Sequence, residues 1–189
     1  MSGLSQGMVK AGNLFSYMSG LYHSGRVQIL ATSGSDGSGI ANPTPGGAWP
    51  GFNWYKTELQ HRGIPDSAIW AIQGPQRHSR EETDALLETA KEGGWEDVVF
   101  VSVDYHRPRQ ILGCLKKMAE MNWKTRLYFP SIPFDWNAEM LGSQQVAQST
   151  GMKEAETDWK VKVPKYMEKG DLASIQEFRD YMTWRNHRS

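Results

Sequence analysis

Four short apolar runs alternate with longer stretches of helical periodicity, and this alternation constrains the fold more than any other feature of the chain. The runs are Val27–Thr32, Ile69–Gln73, Asp97–Val103 and Lys124–Phe129, short and β-prone enough to read as buried strands. Between them, apolar residues recur every three or four positions. Leu14, Phe15, Met18, Leu21 and Tyr22 predict a first helix that stops near Ser24 and Gly25. A second begins near Pro50, turns Phe52, Tyr55 and Leu59 inward, and stops at Gly63 ahead of Pro65. Ser79-Arg80-Glu81-Glu82 reads as a capping box that opens a third helix through Leu86, Leu87 and Ala90, closed by Gly93 and Gly94. Pro108 suits the first turn of a fourth, whose buried face is Ile111, Leu112, Leu115 and Met118. A pair of helices split at Gly170 is expected to end the chain. Asp171 is the expected N-cap of the last one, with Ile175, Phe178 and Met182 as its stripe. This order predicts one α/β domain over residues 1–189, with a mainly parallel sheet of about four strands covered by helices on both faces.

Charge narrows the functional classes. The 189 residues carry 21 Lys and Arg against 21 Asp and Glu. A balanced chain has no global attraction for nucleic acid or an anionic membrane, so an anion must be caught by a local site. The single cysteine, Cys114, allows no internal disulfide, and no CxxC pair is present for a structural zinc. The five histidines fall in no HExxH or similar spacing, and no metal is expected. No apolar run approaches the roughly 20 residues that span a bilayer, and Met1 to Ser5 lacks the start of a secretory signal. A soluble, cytoplasmic protein without a nucleic-acid or membrane partner is the expectation.

In parallel α/β sheets ligands bind beyond the carboxyl ends of the strands, which directs attention to four segments. They are Ser33–Asp36, Gly74–Ser79, Ser102–Arg109 and Pro130–Trp136. The third is the richest. Ser102, Asp104, Tyr105, His106, Arg107 and Arg109 crowd a strand-to-helix junction, where free backbone N–H groups and the helix dipole favour a phosphate or carboxylate. The plainer alternative pairs Asp104 with an arginine and makes His106 a satisfied junction residue. Ser33-Gly34-Ser35-Asp36-Gly37 has the small residues of a phosphate-cradling loop but matches neither a P-loop nor GxGxxG, and a solvated connector explains it as well. Trp123, Phe129, Phe134 and Trp136 suit either the wall of a pocket or the core.

The order and spacing of Gly20-Leu21-Tyr22-His23-Ser24-Gly25, Ile29-Leu30-Ala31-Thr32-Ser33-Gly34, Arg62-Gly63-Ile64-Pro65 and Ser102 to Arg109 resemble those of the YdcF-like proteins, also called the SanA/ElyC family. The family hallmark, a hydroxyl residue followed by Tyr-His-x-x-Arg, is matched by Ser102, Tyr105, His106 and Arg109. Ser79, Arg80 and Glu81 are similar to its Asn-Thr-x-Glu segment, with His78 where Asn is usual. The resemblance spans roughly Leu14 to Phe129. It implies a Rossmann-like three-layer sandwich and a pocket at the strand ends. In that family S-adenosylmethionine binding and envelope or peptidoglycan precursor metabolism are described.

Three departures stand out. The strand that usually precedes the family's first helix has no counterpart in the Gly-rich stretch from Met1 to Asn13. Pro50 and Gly51 replace a carboxylate, and Gln73 replaces a glutamate. Lost carboxylates remove acid–base options and leave anion-binding groups in place.

The leading expectation is a binder of a small anionic ligand, nucleotide-like or S-adenosylmethionine-like, that is held by His106 and Arg109. Ser33, Gly34, Asp36, Ser79, Glu81, Ser102, Asp104 and Tyr105 would assist. The alternatives are an enzyme acting on phosphorylated or nucleotide-linked envelope precursors, with His106 as acid–base and Arg109 stabilising charge, and an interaction module that uses the C-terminal helices from Met152 to Arg188.

Overall fold

The computed structural model describes residues 14–34, 51–74, 76, 78–132, 134–137, 139–141 and 148–187. Helix α1, Leu14–His23, buries Leu14, Phe15, Met18 and Leu21 and leads into strand β1, Leu30–Ser33. The strand therefore starts three residues later than the apolar run does, because Val27 and Ile29 lie in the approach to it. Helix α2, Phe52–Gln60, ends in a turn where Gly63 has φ +78°, a value that only glycine adopts without strain. It is followed by β2, Ile69–Ile72. Helix α3, Ser79–Glu92, precedes β3, Asp97–Val99, and helix α4, Arg107–Glu120, precedes β4, Arg126–Tyr128. Strands β5, Glu139–Leu141, and β6, Gln148–Thr150, come next. The chain then enters α5, Gly151–Thr157, a π-helical turn at Asp158–Lys162, α6, Val163–Glu168, and α7, Ile175–Asn186.

The expected four-stranded sheet is replaced by separate pairs. β1 lies parallel to β2, with Leu30 opposite Ile69, and β3 lies parallel to β4, with Val98 opposite Leu127. β5 and β6 form an antiparallel pair. No closed sheet is formed among the described residues. Between the segments 25–31 and 95–101 lies a cavity of about 530 Å³, lined by Met18, Leu21, Val27, Leu30, Val98 and Val99 among others.

The core is split between the two sheet faces. Val99, Val101, Val103 and Tyr105 pack with α1, α2, Leu30 and Ile132, whereas Val98 and Phe100 pack with α3, α4, Leu127 and Tyr181. This period-two division is what a strand buried on both sides must show. Val101 and Val103 continue the inward alternation beyond the end of β3, so the expected Asp97–Val103 strand persists as packing after its ladder stops. The last backbone link on that side is Phe100 N–H to the Tyr128 carbonyl at 2.8 Å.

Two expected caps are corrected. His78, not Ser79, is the N-cap of α3, its Nδ1 accepting from Glu81 N–H at 3.4 Å, and Ser79 is the first helical residue. Imidazole nitrogen serves there in place of a hydroxyl. For α7 the cap is Ser174 rather than Asp171, in a reciprocal box with Glu177: Ser174 Oγ accepts from Glu177 N–H at 3.1 Å, and Glu177 Oε2 accepts from Ser174 N–H at 2.6 Å. A turn from Gly170, at φ +77°, to Ala173 carries the chain past Asp171 first, and Ala173 N–H donates to the Leu112 carbonyl at 3.0 Å.

Helix α7 finishes the β4 edge with side chains. Tyr181 Oη accepts from Leu127 N–H at 2.6 Å and donates to the Thr125 carbonyl at 3.0 Å, while Arg185 Nη1 donates to the Leu127 carbonyl at 3.0 Å. A strand edge left open would invite pairing with another chain. Phe178, Met182 and Trp184 pack against the same core, so this helix directs its aromatic residues into the domain. No described helix is long and apolar enough to cross a membrane.

Candidate functional site

The junction after β3 is built from a 3₁₀ turn, Asp104–His106, that runs directly into α4, with Pro108 in the first helical turn as expected. Tyr105 is buried beneath this turn, at 1% exposure, and its ring lies 4.4 Å from the imidazole of His106. His106 and Arg109 stand one helical turn apart and meet: Arg109 Nη2 donates to His106 Nδ1 at 3.0 Å.

Both reach a residue that the sequence reading passed over. Asp158, at 1% exposure, lies in the π-helical turn, with Oδ2 accepting from Arg109 Nε at 3.1 Å and 3.3 Å from His106 Nδ1. Its Oδ1 is 3.1 Å from Lys162 Nζ, which in turn is 3.6 Å from Glu154. One edge of the guanidinium therefore grips a carboxylate oxygen and an imidazole nitrogen together. Burial works against the Asp158 carboxylate, but the His106 contact and the Arg109 charge outweigh it and hold the group far below the usual carboxylate range. Burial is the largest influence on His106 and lowers its pKa, with the charges of Arg109 and Lys162 acting in the same direction. The Asp158 contact opposes this, and burial leaves the charged ring disfavoured. A guanidinium can only donate, so with Nδ1 accepting from Arg109 the ring proton sits on Nε2; in the other tautomer Nδ1–H donates to Asp158 and Nε2 is a free base.

The Tyr105 hydroxyl is buried without a hydrogen-bond partner. Burial, followed by the charges of Glu154 and Asp158, raises its pKa far above the ordinary phenol value, so it remains a protonated donor facing the acidic side of the cluster. Phe134 stands 5.8 Å from the Tyr105 ring and packs edge-on to Trp136, and both lie partly buried against the core that holds Tyr105. Gly151 admits them, since a Cβ there would collide with the Phe134 ring. Trp123 and Phe129 lie instead with the other core.

Other expected site residues are placed as follows. Asp104 is tied to its own surroundings: it pairs with Arg107 and accepts from Ser131 Oγ at 2.7 Å and from Ile132 N–H at 3.4 Å, which fastens the end of β3 to the segment after β4. Ser102 Oγ donates to Gln110 Oε1 at 2.5 Å, both residues being buried. Ser33 is buried at the end of β1, and Gly34 follows with its N–H on the Ile72 carbonyl at 2.9 Å. A Cβ on Gly34 would lie 2.6 Å from that oxygen, so close approach of the two strand ends already requires glycine here. Asp36 and Pro50 lie outside the described residues. Ser79 and Glu81 sit at the start of α3, where Ser79 accepts from Thr83 through its carbonyl at 2.8 Å and the Glu81 carboxylate is 3.6 Å from His78 Nε2. The structure thus joins Tyr105, His106 and Arg109 in one cluster. Asp158, Lys162 and Glu154 join them from the C-terminal helical stretch, where the sequence points to no site residue.

No group of three His, Cys, Asp or Glu among the described residues is placed to hold a metal ion. Comparison with protein-family models, with curated proteins and with solved structures gives no match. The resemblance to the YdcF-like family rests on the motifs quoted above.

Proposed function

We propose that this chain is a soluble YdcF-like protein of Rossmann-like three-layer build that binds a small anionic ligand, nucleotide-like or S-adenosylmethionine-like, at the carboxyl end of β3. Arg109 and His106 hold the charged group, and Phe134 and Trp136 offer flat apolar surface beside it. The reading is carried by one observation: Arg109 already grips a carboxylate that arrives from 49 residues away along the chain, with His106 beside the same oxygen. A guanidinium that donates to a carboxylate can donate in the same way to the charged group of an anionic ligand.

Calorimetric titration with S-adenosylmethionine, nucleotides and sugar phosphates tests it. Arg109→Ala removes charge-assisted bonds worth about 1.5–3 kcal/mol, roughly 10- to 100-fold in Kd, and Arg109→Lys keeps the charge but loses the fork, giving an intermediate affinity. Absence of binding by the whole panel, or affinity unchanged in both Arg109→Ala and His106→Ala, refutes the assignment.

A second reading, an enzyme acting on phosphorylated or nucleotide-linked envelope precursors, gains from Asp158. In the tautomer whose Nδ1–H donates to Asp158, the carboxylate 3.3 Å away orients the ring with Nε2 free as a general base, and it restores one acidic group that the sequence had seemed to lack. Hydrolysis of a phosphate ester or diphosphate that vanishes in His106→Ala supports this reading; turnover that survives the change removes it.

A further inference from the structure

Resting on that anion-site reading, we propose that Asp158 is a built-in competitor for the ligand: binding ejects its carboxylate from Arg109 and His106 and releases the segment 151–168 from the junction.

Charge balance makes displacement necessary. Arg109 and Lys162 face Asp158 and Glu154 in a cluster whose members are mostly shielded from solvent, with the Arg109 side chain 15% and the Asp158 side chain 2% exposed. With the charged form of His106 disfavoured by burial, the cations Arg109 and Lys162 are matched by the carboxylates Asp158 and Glu154. Adding an anion without removing one would leave an uncompensated buried negative charge, which costs several kcal/mol. Exchanging one anion for another keeps the guanidinium paired throughout and leaves the balance unchanged.

The segment is made for release on its outer side. Asp158 opens a π-helical turn between two short helices, and such turns break the regular backbone ladder and recur at functional sites. Its neighbours Trp159 and Val161 are 53% and 56% exposed, whereas Gly151, Ala155 and Val163 pack inward on either side of the turn. Within the turn, Asp158 is the buried side chain that ties it to the junction. A tethered carboxylate of this kind acts at a high effective concentration. If the open form is about a tenth of the population or less, the apparent affinity for a free anion falls by about tenfold or more.

Inorganic phosphate is the probe, titrated calorimetrically into the full chain and its variants. Asp158→Asn is expected to bind phosphate at least about tenfold more tightly than wild type. Glu156→Gln removes the same unit of charge from the exposed side of the segment, away from Arg109, and is expected to change affinity by no more than roughly threefold. In the wild-type chain, hydrogen–deuterium exchange in 151–168 is expected to accelerate when phosphate is added, a readout that does not depend on any variant folding. Equal tightening in Asp158→Asn and Glu156→Gln, or exchange that is unchanged or slowed at saturating phosphate, overturns displacement. Arg109-dependent binding that is equally tight in wild type and Asp158→Asn leaves the anion site standing and removes the competitor. No binding to any of the proteins removes both.

Discussion

Replacing Tyr181 with phenylalanine tests whether α7 is a structural neighbour of the sheet or only lies against it. The ring would stay in place, packed 5.6 Å from Trp184, while the hydroxyl that accepts from Leu127 N–H and donates to the Thr125 carbonyl would be lost. Leu127 is fully buried and Thr125 is 2% exposed, so water cannot readily replace either bond. Orphaning a buried backbone group costs about 1–3 kcal/mol, which gives roughly 2–4 kcal/mol for the pair once partial relaxation is allowed. For a chain of this size that is a fall in Tm of about 5–15 °C. Urea unfolding followed by far-UV circular dichroism should show a lower midpoint with an unchanged slope. Thr183→Ala, an exposed position on the same helix, should stay within about 0.5 kcal/mol of wild type. Arg185→Ala should also destabilise, and because Arg185 and Tyr181 share Leu127 the double variant should be non-additive. If Tyr181→Phe unfolds at the wild-type midpoint, edge completion by this helix is wrong.

Two further outcomes follow from the geometry. His106 is held neutral by burial, so between its folded pKa and the ordinary value near 6.5 the unfolded chain takes up a proton that the native one refuses; stability should fall as pH drops below about 6.5, and His106→Gln should flatten that slope between pH 7 and 5.5. Asp158 adds a second loss of the same sign below about pH 4, and a slope identical in wild type and His106→Gln would assign the first step elsewhere. Ser174→Ala opens the capping box of α7 and should cost about 1 kcal/mol in the urea midpoint, whereas Asp171→Ala should cost less by that measure.

The parts of this molecule that could be read from the sequence were those decided by local periodicity. Leu14, Met18 and Leu21, or Leu112, Leu115 and Met118, face the core as their spacing demands, because one helix face must be apolar whatever it packs against. The β3 segment alternates between two cores as a strand buried on both sides should. Sheet continuity escaped, because pairing of β1 with β3 depends on backbone neighbours rather than on composition. The site was half legible. Tyr105, His106 and Arg109 share one short motif, whereas Asp158 reaches them through a π-helical turn 49 residues further on that no period in the sequence announces. The caps show the same limit: Ser79 and Asp171 have suitable side chains, yet His78 and Ser174 occupy the backbone positions from which a cap can act.

The division of β3 between two cores also bears on precision at the site. A one-residue slip in most half-buried strands exchanges an apolar face for a wet one; here it would drive Val98 and Phe100 into the space of Val99 and Val101 and the reverse, so both helical layers resist it at once. The strand behaves as a keyed shaft. Asp104 to Arg109 hang from its end, and their axial position and rotation are set before any ligand arrives. In the proposed receptor the half carried by β3 and α4 is therefore fixed, and adjustment on binding would come from the side that carries Asp158.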